Sequence, residues 1–421
     1  MAQMDLLIQD VLWQGRRVDV AIAEGVFTAI EPAGTLEPTP STTCLSGRHF
    51  LLRSPFYNTH THHAMTLLRG AGEDLPLMAW LNQRIWPREA RLTSELVAAG
   101  TRLAIVESLH SGCVAFNDMY FHQPAILRVA QEMGVRARVG LMVMNQVSDH
   151  IENEAALALR PTLPKTLNLC LAPHALYTTT TEQLCEVARQ SEELGLPIHI
   201  HAAETLAECE IARERFHAAT PVRYLDACGL LKPDTILAHC CHVTDDDLAL
   251  MAQRGVTVAH CPQSNQKLGS GTFPWAKARA AGVKVTVATD GAASNNSLSM
   301  IAEVKAAALS AKLGASSPEA VTLAEVDEAA TTVAARALGF ANAGEIAVGR
   351  EADCILVDLR LPAFAAGNNP DADFIYAADS SCVDTVICAG RMVMQNKMVP
   401  NEAAILAEAR EAAAWLRKET V

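Results

Sequence analysis

The stretch YNTHTHHAMTLLRG, residues 57–70, sets His60, His62 and His63 within four positions at the end of an apolar run. On a β-strand, residues two apart point to the same face, so His60 and His62 can turn two ring nitrogens toward one ion. Thr61 and His63 share the opposite parity, and His63 reads as a loop residue. A lone His-x-His pair is equally at home as two polar residues at a strand end. Other apolar runs close in the same way, one in His174, one in His201 and Glu204, one in His239 and one in Asp290. Three imidazoles (His60, His62, His201) and the Asp290 carboxylate around a divalent ion would leave a position for water, the arrangement of a catalytic metal rather than a structural one. Zinc would bring the pKa of that water to around 7. Iron, manganese or cobalt suit the same donors.

The other histidines divide. His199 shares the parity of His201 one pleat deeper, and reads as a hydrogen-bonded core group with ligation as the alternative. His242 and His260 lie near strand ends, where either could line a pocket. His49, His110, His122, His150 and His217 have no partner evident in the sequence and read as structural or exposed.

Residues so far apart meet only if the fold carries their strands to one rim. A helical stretch, a glycine and a short apolar strand recur at Gly112, Gly134, Gly195, Gly255 and Gly282. Glycine just past a helix adopts the left-handed cap and turns the chain into the next strand. Strands are predicted at 51–59, 113–119, 137–144, 167–173, 197–203, 235–239, 256–261 and 283–289. Helices are predicted at 94–110, 125–133, 181–194, 245–254 and 299–313. This alternation implies a parallel α/β sheet, and eight repeats imply closure into a (β/α)8 TIM barrel over residues 51–344. An open doubly wound sheet fits less well, because no glycine-rich phosphate turn follows a strand. Residues 1–50 and 345–400 read as hairpins forming one small β-sandwich domain from both chain ends, and 401–421 as a C-terminal helix. In such a barrel the strand-end polar residues gather at the C-terminal rim.

The chain has 421 residues, half of them apolar, and a net charge of −13 without any basic stripe. That balance excludes nucleic acid and anionic membrane as expected partners. No apolar stretch approaches the ~20 residues of a spanning helix, and MAQMDLLIQDVLWQG reads as a strand rather than a signal peptide. A soluble, cytoplasmic protein is expected. Its twelve cysteines include no Cys-x-x-Cys, so buried reduced thiols are expected rather than a disulfide framework or a thiolate zinc site. Barrels of this kind often form homo-oligomers, but no surface feature sets a subunit number.

The motifs NTHTHHAMTLLRGAGEDLPLMAWL, HIHAAET, LAHCCHV, HCPQSNQKLGSG and ATDGAASNNSLSM together resemble the amidohydrolase superfamily, in particular its 5-methylthioadenosine/S-adenosylhomocysteine deaminase branch. The likeness runs over nearly the whole chain. It implies hydrolytic deamination of an adenine nucleoside at one divalent metal, zinc before iron or manganese, held by His60, His62, His201 and Asp290. It further implies that Glu204 protonates the purine ring nitrogen, that His239 stands beside the attacking water, and that Asp290 relays that water's proton. Glu89 in WPREARL would grip the ribose hydroxyls and His174 in APHALY would touch the substrate, with Trp80 a further binding candidate. No lysine ends the fourth strand, so a two-metal site is not expected. The segment LMVMNQVSDHIENEAAL holds no arginine to meet an amino-acid carboxylate. Leu141, Met142 and Met144 suggest an apolar wall instead, which favours 5′-methylthioadenosine, with adenosine, over S-adenosylhomocysteine. A guanine, triazine or pterin aminohydrolase is the nearest rival, and it would have no ribose for Glu89 to hold. A non-catalytic metal-binding scaffold would be expected to have lost Glu204, His239 or Asp290.

Overall fold

Proline dictates where the chain passes from one sheet to the next. In this computed structural model, which describes residues 4–145 and 150–418, the predicted first strand is two strands, Phe50–Arg53 and Phe56–Thr61. Pro55 between them has no N–H to give to a ladder, so pairing stops there. The first piece belongs to a sheet formed by the chain ends, and the second is the first barrel strand.

Eight parallel strands follow one another round the barrel: β1 (Phe56–Thr61), β2 (Cys113–Asp118), β3 (Arg136–Val143), β4 (Leu167–Pro173), β5 (His199–Ala202), β6 (Ile236–His239), β7 (Thr257–His260) and β8 (Lys284–Val287). They pair as two four-stranded halves, β1–β4 and β5–β8. A bridge between Leu171 and Ile198 joins the halves at one seam. At the other, the Asp290 amide donates to the His60 carbonyl at 3.1 Å and the hydroxyls of Thr59 and Thr286 meet at 2.8 Å. Gly134, Gly195, Gly255 and Gly282 cap the preceding helices with φ between 59° and 83°, as their spacing implies. Thr180 and Thr244 start two of the helices with full capping boxes.

The terminal sheet draws strands from both ends of the chain, in the order Arg391–Met394, Val383–Cys388, Cys354–Asp358, Phe50–Arg53, Leu6–Trp13, Arg16–Ala23 and Val26–Pro32, with Thr43–Ser46 branching beside Leu6–Trp13. Strand alternation splits its residues. Leu6, Ile8, Leu52 and Leu356 form its own core, while Leu51, Ile355 and Val357 turn the other way into the barrel's hydrophobic cluster. Helix Glu402–Arg417 buries Ile405, Ala409, Ala412 and Leu416, a stripe at helical spacing, and packs on helix Ser94–His110.

All twelve cysteines are free, and only Cys44 and Cys185 are exposed. Among the described residues no helix is long and apolar enough to cross a membrane. Two histidines without evident sequence partners have them in the fold: His110 Nε2 lies 3.1 Å from Glu402, and His122 Nδ1 lies 3.2 Å from Ser94 Oγ. His49 and His217 are exposed, and the side chain of His150 lies outside the described residues.

Candidate active site

The C-terminal rim collects the predicted residues. Ligand atoms of His60, His201, His239 and Asp290 lie within 4.8 Å of one another. His62 Nε2 is 3.3 Å and His60 Nε2 3.2 Å from the same Asp290 Oδ1. The four ligands expected from sequence are thus assembled, and His239 stands among them rather than apart. The strand ends bend sharply to do this, since Asp290 (φ 61°) and His239 (φ 71°) occupy the left-handed region that non-glycine residues avoid. Gly291 leaves room for the approach: a Cβ there would stand 2.8 Å from Met65 Sδ and 3.2 Å from His62 Cβ.

Each ring is aimed by a bond at its far nitrogen. His62 Nδ1 donates to the Met119 carbonyl at 2.7 Å, His201 Nδ1 to the His174 carbonyl at 2.7 Å, and His239 Nδ1 to Asn265 Oδ1 at 2.8 Å. His60 Nδ1 meets His199 Nε2 at 2.9 Å, so His199 supports a ring at the centre instead of joining it. These contacts leave the Nε2 lone pairs facing one point, the usual arrangement behind metal-bound imidazoles. His60 Nε2 is buried and faces Asp290 Oδ1. Asp290 Oδ2 accepts from Ser264 at 2.6 Å and Ser294 at 2.8 Å, which keeps Oδ1 toward the rings.

Burial brings the pKa of His60 down to about 4 and holds His201 well below the usual imidazole range. For His62 burial acts in the same direction, but the Asp290 carboxylate outweighs it and the ring rises to about 9. Burial alone would raise Asp290, yet its bonds to His60 and His62 hold it well below the ordinary carboxylate value. Neutral His60 and His201 beside an ionised Asp290 are the donor state that a divalent cation requires, and His62, whose proton the bare Asp290 carboxylate holds, would release it to an ion in that place, so the site fits one.

A cavity opens above this centre. Glu204, 3% exposed, accepts from Ser270 Oγ at 3.0 Å and holds its other oxygen 3.9 Å from His239 Nε2. Burial pushes its carboxyl up. Glu89 and Trp80 also line the cavity, on a segment of short helix (Leu77–Trp80), π turn (Leu81–Ile85) and short helix (Trp86–Glu89) that also contributes Leu77, Leu81 and Trp86. Burial raises the Glu89 carboxyl too, against the opposing Tyr120 hydroxyl. His174, bonded to Thr178 Oγ1 at 2.9 Å, also lines the cavity, and burial takes its pKa down to about 3.

Three expectations need correction. Leu141 does not line the cavity: strand parity sends Met142 and Met144 to it and turns Leu141 into the hydrophobic core. His63 is no loop residue, because it begins the 3-10 turn His63–Leu68 and is fully buried, its ring centroid 3.9 Å from that of Phe116. His242 and His260 lie outside the cavity lining, the first against the Ser270 carbonyl at 2.6 Å and the second against Phe273 and Trp275. Sequence reading does not single out Tyr120, Phe121, Tyr177, Leu268 or Ser294 on the wall. Tyr120 and Phe121 directly follow Met119 at the end of β2, so the rim rule applied to aromatic as well as polar residues would have found them.

Residues 55–393 match the model of the amidohydrolase family. The 5′-deoxyadenosine deaminase of Methanothermobacter thermautotrophicus is 39% identical over 390 residues, with 90% of each chain covered. The 5-methylthioadenosine/S-adenosylhomocysteine deaminase of Moorella thermoacetica is 40% identical over 383 residues, with 89% of each covered. Among solved structures, an adenosine deaminase from Xanthomonas campestris with bound zinc superposes with a TM-score of 0.93 at 34% identity, covering 98% of this chain and 99% of that one. With a model match across the barrel, and relatives near 40% identity along almost their whole length, the chain belongs to the amidohydrolase family.

Proposed function

We propose that this protein is a metal-dependent hydrolytic deaminase that converts an adenine nucleoside with a small apolar 5′ group to the hypoxanthine nucleoside and ammonia. The observation that carries this reading is the set of groups that share the cavity: Glu204 with the histidine–aspartate centre, Glu89, and the apolar side chains of Met142, Met144, Leu77 and Phe121. A purine needs the first, a ribose diol the second and an apolar 5′ substituent the third. Among the described residues no arginine or lysine lines the cavity, which disfavours a charged amino-acid tail. The substrates in the relatives' names, 5′-deoxyadenosine and methylthioadenosine among them, include two with an apolar 5′ group.

His60, His62, His201 and Asp290 would hold one divalent ion, zinc by preference, which supplies a water acidified enough to attack at neutral pH. Glu204, kept protonated by its dry surroundings, gives that proton to ring N1 and makes C6 electrophilic. His239, fixed by Asn265, turns Nε2 toward the incoming water. Asp290 Oδ1 takes one of the water's protons and passes it to the departing amine, while Ser264 and Ser294 hold Oδ2. The second proton of the water returns to Glu204 as the C6 carbonyl forms, so the acid is restored and ammonia leaves. Glu89 fixes the ribose, and His174 and Trp80 flank the base.

The test is a panel of 5′-methylthioadenosine, 5′-deoxyadenosine, adenosine and S-adenosylhomocysteine, followed by the absorbance change from adenine to hypoxanthine. The two apolar substrates should show the highest kcat/KM and S-adenosylhomocysteine the lowest. Chelation should abolish turnover and zinc restore it. Preference for S-adenosylhomocysteine would overturn the 5′ assignment, and absence of ammonia release from every nucleoside would overturn the whole reading.

A further inference from the structure

We infer that Glu208 is a positioning residue for Glu204, acting through the backbone of the turn that carries it. The inference rests on the reading of Glu204 as the proton donor. Strand β5 ends at Ala202, the chain turns through Ala203 in the left-handed region (φ 50°), and helix Leu206–Phe216 begins after its N-cap, Thr205. Glu208 is the third residue of that helix, and its own amide donates to Thr205 Oγ1 at 3.3 Å. An acid at this place ordinarily returns to the amide of the N-cap. Here it reaches further back: Oε1 accepts from the Ala203 amide at 3.0 Å and Oε2 from the Glu204 amide at 2.8 Å.

Ala203, Glu204 and Glu208 are all buried, so these two amides depend on that one carboxyl group for their acceptors. The carbonyl side of the same turn is held by the neighbouring strand end, where the Cys240 amide donates to Ala202 at 3.0 Å and the His242 amide to Ala203 at 2.9 Å. A non-glycine left-handed turn persists only where its surroundings over-determine it, and Glu208 is half of that constraint. Among the described residues the Glu204 side chain has one hydrogen bond of its own, from Ser270. Its aim at the ring nitrogen therefore follows from the backbone that Glu208 clamps.

A double-mutant cycle tests this. In Glu208→Gln one oxygen becomes an NH2 that faces a backbone N–H. kcat should fall about tenfold to a hundredfold, the cost of roughly an ångström of misplacement, with KM and zinc content near wild type and faster hydrogen exchange at the Ala203 and Glu204 amides. In a Glu204→Gln background the same change should cost less than about twofold, because the group it aims is already gone. Unchanged kcat, or an equal loss in both backgrounds, would overturn the inference. If Glu208→Gln does not fold, Glu208→Asp, which keeps the charge but is one methylene short, runs the same cycle with the same outcomes. Full activity in Glu204→Gln alone would sink the proton-donor reading, and this inference with it. An impaired Glu204→Gln with an additive cycle sinks only the inference.

Discussion

Two carboxyl groups, Glu89 and Glu204, line the cavity, and burial raises both, but their roles differ. Glu204 stands beside His239 and is read as the acid. Glu89 stands beside Tyr120, within electrostatic reach of His62, and is read as the ribose clamp. Glu89→Gln should therefore raise KM for adenine nucleosides by about tenfold or more, since the bonds to a ribose diol weaken when the acceptor loses its charge. Metal content should be unchanged. Atomic absorption alongside kinetics on adenosine-type substrates checks both, and an unaltered KM would remove the ribose from Glu89. Much of this centre was legible from residues alone, because a strand end combined with parity fixes where a histidine points. Leu141 was misplaced by setting that same parity aside in favour of hydrophobic type. His63 was misread because a 3-10 turn following β1 abandons the strand period. The bonds at Nδ1 to the Met119 and His174 carbonyls were not legible, for a backbone carbonyl leaves no mark in spacing, whereas His199 was legible as a hydrogen-bonded core group but not as the partner of His60.

The segment Leu77–Glu89 is the element that most shapes the cavity and the one with least regular structure. Two helices of four residues and a π turn between them cannot be stable by themselves, so the segment must borrow order from its flanks. Arg91, two residues beyond Glu89, supplies one anchor. Its guanidinium donates to the carbonyls of Leu416 at 3.0 Å and Lys418 at 2.9 Å, and lies 4.7 Å from the Trp415 ring centroid. It thereby caps the C-terminal helix and ties it to the cavity wall. Arg91→Ala should cost about 1–2 kcal/mol of stability, the range for a lost cap with charged hydrogen bonds, and should raise KM without removing metal. Thermal melts and steady-state kinetics test this together, and a loss confined to stability would mean the wall holds itself. The five helices predicted between strands lie within about two residues of the observed ones, helped by Ser or Thr caps and terminal glycines, whereas helices such as Leu206–Phe216 and Leu323–Ala330 were not predicted. The π turn carries no such mark, and neither does the passage between sheets, apart from Pro55.

The molecule as a whole joins barrel to terminal sheet through buried charge as well as apolar packing, and both bear on stability. Glu303, on the helix after β8, is fully buried against Gln263 and Asn295, and burial, outweighing their donated bonds, pushes its pKa up to about 8. Because that value lies above the unfolded one, the fold binds the proton more tightly. Its contribution is complete below about pH 4.5 and is lost as pH rises through 8. Urea midpoints should fall between pH 5 and pH 8.5, and Glu303→Gln should flatten that fall; an equally steep fall in the variant would assign the dependence elsewhere. The heavier charge lies at the junction itself. Arg136 on β3 is fully buried, pairs through Nε and Nη2 with Asp353 at 2.6 and 2.9 Å, and reaches Glu351 at 2.6 Å. Asp353 also accepts from the Tyr57 hydroxyl of β1 and from the Ala389 amide of the terminal sheet. One carboxylate thus satisfies donors from two barrel strands and the sheet. Replacing a buried ion pair with apolar groups is often neutral, but removing one partner strands the other charge. Asp353→Asn should therefore destabilise the protein by about 3–5 kcal/mol, with Glu351 retaining part of the Arg136 charge. Since Arg136 and Tyr57 lie at the starts of β3 and β1, and Glu204 and Asp290 follow the opposite ends of their strands, kcat/KM of the folded fraction should be unchanged. Denaturant unfolding followed by tryptophan fluorescence checks the size of the loss. A single transition displaced to lower urea would show barrel and sheet unfolding as one unit. Two separated transitions would show that Asp353 is what couples them.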